Sequence, residues 1–185
     1  MEAWKNSEIK KVFASELSIG ILNLSQPTTD ILLKQGLPSE FQDLKFNYLL
    51  ESPVQTVNEK WNLNNVLFND FIAIGSNGSG DPISLKRNDE ELVYLNHDNN
   101  FEEVIINSDL KCFLQSILKA HDFFNQLTKL TPESFFETEF SDDSYNNLIK
   151  DLKEIDDKAL QSNNSYWITT LENLKWERDD ERKNS

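Results

Sequence analysis

The most constraining feature of the chain is a glycine-rich segment between two apolar runs, 71–74 and 82–85. Gly75, Gly78 and Gly80 are three of the chain's five glycines. Glycines supply the conformations with positive φ that a tight reversal needs, and the β-branched and aromatic residues around them fit a pleated surface. The segment therefore predicts a β-hairpin whose glycine turn determines the fold.

A third strand and then a long helix are predicted after the hairpin. Residues 91–95 are mostly apolar and follow a turn signal at 88–89. After a polar turn, apolar residues recur at helical spacing over 110–118, a pattern that no strand satisfies. Asn107 or Ser108 is predicted to cap this helix.

Two shorter helices are predicted in the first part of the chain. Ser7 is placed to cap a helix that ends near Gly20. Thr28 or Thr29 is placed to cap a second helix, with Gly36 just beyond its end. Both helices precede the predicted sheet.

The segment between these helices and the hairpin predicts one more strand. Apolar and polar residues alternate over 44–50, as in a half-buried strand. A loop follows, and Trp61 within it is expected to pack back on the sheet. This strand extends the predicted sheet on the side that precedes the hairpin.

Helical patterns return after residue 130. Residues 131–133 predict a short helix with proline at its first position, and Ser141 or Ser144 caps a longer one. A last helix carries the apolar residues of 167–174. The polar tail, 177–185, is expected to fray.

Helices precede and follow the strands instead of alternating with them. The predicted class is therefore α+β with an antiparallel sheet. At 185 residues the chain is most simply one domain. We place this domain at 1–176, with a C-terminal helical appendage at 133–176 and the tail at 177–185.

The net charge of the chain limits the classes of molecule that it is expected to bind. The chain has 32 acidic against 18 basic residues and a net charge of −14. Nucleic-acid binding is disfavoured, because its affinity comes from lysine and arginine displacing counterions. A basic partner, or a need for solubility, is favoured instead. The segment 133–160 is the most acidic long stretch.

The sequence predicts a cytoplasmic protein. Cys112 is the single cysteine, so the chain forms no internal disulfide and requires no oxidising compartment. On an apolar helix face it is expected to be an inert core thiol. The first 20 residues interleave charges with apolar residues, unlike a signal peptide, and no apolar run is long enough to span a membrane.

The sequence contains no clear motif for catalysis or for binding a cofactor. The glycine-rich loop leads into a strand and has no lysine after its last glycine, unlike a phosphate-binding P-loop. His97 and Asp98 are adjacent, and their side chains are expected to point apart in an extended segment. One cysteine and two distant histidines make no zinc motif, and the acidic turn at 98–102 does not follow the EF-hand pattern. We predict no catalysis, cofactor or metal, with His97 the one titratable residue to watch.

Five segments in order resemble the SUKH superfamily, and its fourth subfamily of immunity proteins most of all. They are Gly36-Leu37-Pro38, Phe46 in the following strand, Ile72-Ala73-Ile74-Gly75-Ser76-Asn77-Gly78-Ser79-Gly80-Asp81-Pro82-Ile83, Val93-Tyr94-Leu95-Asn96-His97-Asp98, and Ile106-Asn107-Ser108-Asp109-Leu110 with Phe113. The resemblance continues through Ile155-Asp156-Asp157-Lys158-Ala159 and Tyr166-Trp167, so it covers about 27–174. Asp109 departs from the small residue common there.

The resemblance implies a central twisted antiparallel sheet with helices packed against it. It also implies an immunity protein that binds and neutralises a cognate bacterial toxin domain, of a basic nuclease type or another polymorphic type, in the cytoplasm. Other members of the superfamily are interaction scaffolds, so a regulatory scaffold for an endogenous partner is the alternative. The glycines of the motif are carried over as fold determinants. The oligomeric state stays open.

Acidic side chains are the candidate contacts for a basic toxin, because opposite charge speeds encounter. Near the turns of the sheet these are Asp81, Asp98, Glu102 and Glu103. In the appendage they are Glu137, Glu139, Asp142 and Asp143.

Overall fold

A six-stranded antiparallel sheet is central to the protein, whose computed structural model describes residues 2–130 and 140–184. A two-stranded sheet of β1 (Lys11–Val12) and β2 (Leu37–Pro38) is separate from it. The strands of the large sheet are adjacent in chain order: β3 (Glu40–Phe41), β4 (Leu44–Lys45), β5 (Phe71–Ser76), β6 (Pro82–Lys86), β7 (Leu92–Asn96) and β8 (Glu102–Asn107).

Helices come before, between and after these strands. The α-helices are α1 (Glu2–Lys5), α2 (Glu16–Ile19), α3 (Gln26–Asp30), α4 (Val57–Trp61), α5 (Leu110–Leu130), α6 (Asp142–Ile155) and α7 (Tyr166–Asn184). A π-helical turn (Ile31–Gln35) and 3-10 turns (Asn47–Leu50, Val66–Asp70, His97–Asn99, Asp157–Leu160) connect them. The prediction of an α+β fold with an antiparallel sheet is confirmed.

Both faces of the sheet are buried, which explains the nearly continuous apolar runs of its strands. Side chains alternate between the faces. Ile72 and Ile74 join the main core with α5, whereas Phe71 and Ala73 join a smaller cluster with Val57 of α4. The central strands therefore lack the regular alternation of apolar and polar residues that is typical of a sheet with one face exposed to solvent.

The predicted hairpin and third strand are confirmed, but β8 was missed. Strands β5 and β6 pair with Ile72 opposite Leu85, and β7 follows a turn that includes residues 88–89. The sequence was expected to turn directly into a helix after residue 100. Strand β8 instead pairs with β7, placing Glu102 opposite Asn96. Its two exposed glutamates hid the strand signal.

Helix α5 is confirmed, with a different start. Leu110, Phe113 and Ile117 are fully buried on its predicted stripe. The cap is Asp109, whose Oδ1 accepts a hydrogen bond of 2.7 Å from the Cys112 amide. The predicted cap, Asn107 or Ser108, is wrong because both side chains bond elsewhere.

Cys112 is half-buried near the start of α5, not a fully buried core thiol. Burial, with the charges of Asp109 and Asp156, raises the pKa of the Cys112 thiol to about 12. These effects outweigh the helix N-terminus, which favours a thiolate. The thiol stays protonated at neutral pH, in keeping with the inert character that we expected.

The N-terminal helices were placed incorrectly. Ser7 starts no helix, because the segment that follows it enters β1 and pairs with β2, and Ser15 caps α2 instead. Helix α3 is capped by Ser25, not by Thr28 or Thr29. Gly36, at φ 74°, ends the turn that follows, as predicted. Tertiary pairing overrides weak local signals in such short elements.

Only the first two residues of the predicted strand 44–50 are a strand. Strand β4 meets β5 through the pair Lys45 and Ser76, and the chain then enters a 3-10 turn. Trp61 lies in α4, not in a loop, and packs 5.8 Å from the Tyr48 ring beside the smaller cluster.

The C-terminal tail, which the sequence predicts to fray, is helical up to Asn184. Helix α7 continues through it, and Arg178 is 2% exposed. The Arg178 guanidinium donates to the Phe140 carbonyl and lies 4.5 Å from the Phe140 ring centre.

Ser141 caps α6 as predicted. The helix predicted at 131–133 lies outside the described residues.

A buried carboxylate joins the C-terminal helices to the sheet. Asp156 accepts hydrogen bonds from the Asn107 side chain at 2.9 Å and from the Ser108 amide and hydroxyl, each at 2.7 Å. The Asn107 side-chain oxygen Oδ1 in turn accepts a hydrogen bond from the Trp167 indole at 3.0 Å. The end of β8 is thereby bonded to the segment after α6 and to the start of α7.

Gly75 has a packing constraint that Gly78 lacks. A Cβ at Gly75 would lie 2.0 Å from the Lys45 carbonyl oxygen, whereas one at Gly78 would lie 3.4 Å from the Asp43 Cβ. Gly80 is required for its φ of +87°. We expect Gly75→Ala to force β4 away from β5 and to lower the free energy of unfolding by about 3 kcal/mol.

The matched variant is Gly78→Ala, which should change the free energy of unfolding by less than about 0.5 kcal/mol. Urea titration of both variants, followed by circular dichroism, measures the difference. Equal stability of the two variants would contradict the close approach of β4.

Candidate interaction site

An open groove of about 280 Å³ lies between the turn that joins β3 to β4, strand β7 and helix α7. Tyr166 is 5% exposed, Tyr94 is half-buried, and Asp43 and Glu177 are exposed at the rim. Within the described residues, no lysine or arginine lines it. The groove combines aromatic walls with an acidic rim. Its main lining residues are Asp43, Tyr94, Phe124, Tyr166, Asn173 and Glu177.

The glycine turn positions one side of the groove. Close approach at Gly75 holds β4 against β5, and Gly78 lies beside the Asp43 Cβ. Gln42, the other turn residue of the groove, has a φ of 51°. The turn that carries Asp43 is therefore packed against the predicted hairpin.

The groove has a negative electrostatic environment. Burial raises the pKa of the Tyr94 phenol, and Asp81, Asp43 and Glu102 raise it further. Burial also raises the pKa of Tyr166, whose hydroxyl lies 3.5 Å from Asp43 Oδ1. Both phenols remain neutral at physiological pH and are able to donate or accept hydrogen bonds.

Asp81 is buried, and its side chain is not available as the surface contact that the sequence suggested. It is 4% exposed. Its carboxylate accepts from the His97 amide and from the Asn77 side chain, each at 2.8 Å. Oδ1 also lies 2.6 Å from His97 Nδ1. These bonds fasten the glycine turn to the end of β7.

The expectation that the His97 and Asp98 side chains point apart is wrong. The two residues are in a 3-10 turn, and His97 Nε2 lies 3.4 Å from Asp98 Oδ1. The imidazole thus contacts both Asp81 and Asp98. Among the described residues, no hydroxyl or thiol bonds to it.

Asp98 and Glu102 are exposed acidic residues where β7 connects to β8, here called the acidic corner, and the charge of Glu102 acts on Tyr94 in the groove. The Asp98 side chain is 85% exposed, and Glu102 accepts a hydrogen bond from Asn99. Glu103, the next predicted contact, is paired with Lys86 at 2.9 Å. The acidic corner therefore holds the two predicted contacts of the sheet that are exposed and, among the described residues, not paired with a lysine or arginine.

The predicted contacts of the appendage are not gathered into one site. Asp142 pairs with the buried Arg178 at 2.8 Å, and Asp143 is exposed in the first turn of α6. Glu137 and Glu139 lie outside the described residues. Neither Asp142 nor Asp143 lines the groove.

Sequence reasoning missed the residues that form the groove. Asp43 directly precedes the predicted strand 44–50, while Tyr166 and Glu177 belong to a helix distant in sequence. Tyr94 was assigned only to a strand. No local pattern signals a groove whose walls come from four separate segments, with Phe124 of α5 the fourth.

The described part of the chain contains neither a metal cluster nor a membrane-spanning helix. No group of three or more His, Cys, Asp or Glu side chains is arranged there to hold a metal ion. None of the helices there combines the length and apolar character that a bilayer span requires.

We expect Asp43→Asn to lower the pKa of Tyr94, because it removes a negative charge that disfavours the phenolate. The pKa of Tyr166 should fall for the same reason. NMR titration of ¹³C-labelled tyrosine measures the pKa of Tyr94. Asp70→Asn is the matched control, since Asp70 precedes β5 at the opposite end from Gly75. An unchanged Tyr94 pKa in Asp43→Asn would contradict this electrostatic account.

A scan of family models matches residues 19–173 to SUKH-4, the SUKH-4 immunity protein family. Neither the curated proteins nor the solved structures gave a match. The matched region runs from α2 into α7 and includes the whole central sheet, the Asp156 junction and most of the groove. The chain therefore belongs to the SUKH-4 immunity protein family, as its sequence motifs had indicated.

Proposed function

We propose that this protein neutralises a cognate toxin by binding it in a stoichiometric complex. The observation that carries the proposal is the family match, which spans nearly the whole described fold. Immunity proteins of this kind act by occupying a toxin, so binding and not catalysis is the proposed activity. The imidazole of His97 then serves to hold the glycine turn.

We propose further that the toxin is basic, as a nuclease toxin must be to hold its own substrate. The net charge of −14 favours attraction of such a partner over a long range. Complementary charge raises association rates well above those of neutral pairs, and salt screens the effect. Fast capture suits a protein that protects the cell which carries it.

The acidic corner is the proposed first point of contact. Asp98 and Glu102 are exposed, and the described residues place no lysine or arginine against either one. Glu103 contributes less, because Lys86 already neutralises it. Exposed carboxylates of this type mainly affect how fast a complex forms.

Co-expression with the toxin encoded beside its gene tests the proposal. We expect the protein to restore growth and to form a one-to-one complex with the purified toxin domain. Light scattering gives the stoichiometry. No complex, or no restored growth, would show that the proposal is wrong. Isolation of a housekeeping partner in its place would favour the scaffold alternative.

Charge reversal tests the role of the acidic corner. We expect Asp98→Lys with Glu102→Lys to slow association about tenfold at about 50 mM salt, and less at about 300 mM. Asp70→Lys with Glu172→Lys changes the net charge equally at other exposed positions. Stopped-flow measurement compares the two pairs. Equal slowing would assign the effect to net charge alone.

A further inference from the structure

We infer that the groove between β7 and α7 receives an arginine side chain of the partner protein. This inference rests on the proposed function and specifies one contact within it. The groove is separate from the acidic corner in its chemistry, because it has aromatic walls and depth as well as charge. It therefore fits a side chain, whereas the corner presents only exposed carboxylates.

The first argument is that the carboxylates of the groove lack cationic partners. Within the described residues, Asp43 and Glu177 pair with no lysine, arginine or histidine. Many carboxylates elsewhere are paired: Glu103 with Lys86, Asp142 with Arg178 and Asp151 with Lys119. Two unpaired acids that face one concave site leave a place for a positive charge.

The second argument is the aromatic surface. Tyr94 is half-buried, and Phe124 and Leu174 add apolar surface. A guanidinium group stacks on aromatic faces and is less strongly hydrated than an ammonium group. The apolar stem of an arginine also packs well on such a wall.

The third argument is the supply of acceptors. The Tyr94 hydroxyl has no hydrogen-bond partner among the described residues. The Tyr166 hydroxyl lies deeper, 3.5 Å from Asp43 Oδ1. Arginine carries five N–H donors in a planar fork, whereas lysine carries three on a compact ammonium. Phenol and carboxylate oxygens at several positions match the fork better than the point charge.

A peptide experiment tests the groove without the toxin. The probe is the blocked tripeptide Gly-Arg-Gly, and its neutral isostere contains citrulline in place of arginine. We expect the arginine peptide to shift the ¹H–¹⁵N resonances of Asp43, Tyr94 and Tyr166 with a millimolar Kd. The citrulline peptide should bind at least about tenfold more weakly, because it lacks the charge-assisted hydrogen bonds.

Paired variants locate the binding. Asp43→Asn with Glu177→Gln should weaken the arginine peptide about tenfold or more. Asp70→Asn with Glu172→Gln removes the same charge from exposed positions outside the groove, with Glu172 on the same helix as Glu177. This control pair should leave the resonance shifts caused by the arginine peptide unchanged. Equal binding of both peptides, or equal effects of both variant pairs, would overturn the inference.

The same variants separate this inference from the proposed function. The inference is supported if the native protein protects against the toxin and the variant Asp43→Asn with Glu177→Gln fails on two counts. That variant must no longer bind the peptide, and its affinity for the toxin must fall at least tenfold. If that variant keeps full toxin affinity, the arginine contact is wrong and the immunity function stands. If the native protein binds the peptide in the groove but does not protect, the proposed function fails and the groove site stands.

Discussion

The contact between β4 and Gly75 is the constraint on which the rest of the structure depends most directly. The Lys45 carbonyl comes so close to Gly75 that a side chain there has no room. This approach extends the sheet beyond the hairpin and brings the turn at Asp43 beside the glycine turn. Asp81 then holds the glycine turn to His97. A single sequence feature thus determines both the sheet and one wall of the groove.

The second wall depends on a buried carboxylate. Asp156 links Asn107 and Ser108 at the end of β8 to the segment that leads into α7, and Trp167 bonds to Asn107. Breaking a buried network of this kind is costly, because each polar group would be left without a partner. Helix α7 is therefore held where Tyr166 lines the groove together with Tyr94, and Glu177 lies at the rim. The interactions that stabilise the fold therefore also position the walls of the groove.

Strong periodic patterns allowed the central elements to be predicted from the sequence. The apolar stripe of α5 and the glycine hairpin succeed because each is determined by its own residues. The helix expected from Ser7 fails because β1 gains a strand partner in β2. Strand β8 was missed because its exposed glutamates break the apolar run. Asp81 was predicted to be a surface acid, but the sequence does not reveal that the His97 imidazole, the His97 amide and the Asn77 side chain surround its carboxylate.

The groove itself was beyond prediction from the sequence. Its acids and tyrosines come from three segments of the chain, and Asp43 lies more than a hundred residues from Tyr166 and Glu177. Only the folded sheet and the hydrogen bonds of Asp156 bring them together. The family resemblance correctly implied an immunity protein fold. It did not locate a contact surface, because the residues that carry the resemblance are mainly those that build the sheet and its turns.

The most direct test of the account is a crystal structure of the complex with the cognate toxin. We predict a toxin arginine in the groove, with its guanidinium bonded to the Asp43 carboxylate and its plane against the Tyr94 ring. The acidic corner should lie at the edge of the same interface. A complex in which the groove stays open to solvent, with the toxin bound elsewhere on the protein, would contradict the account.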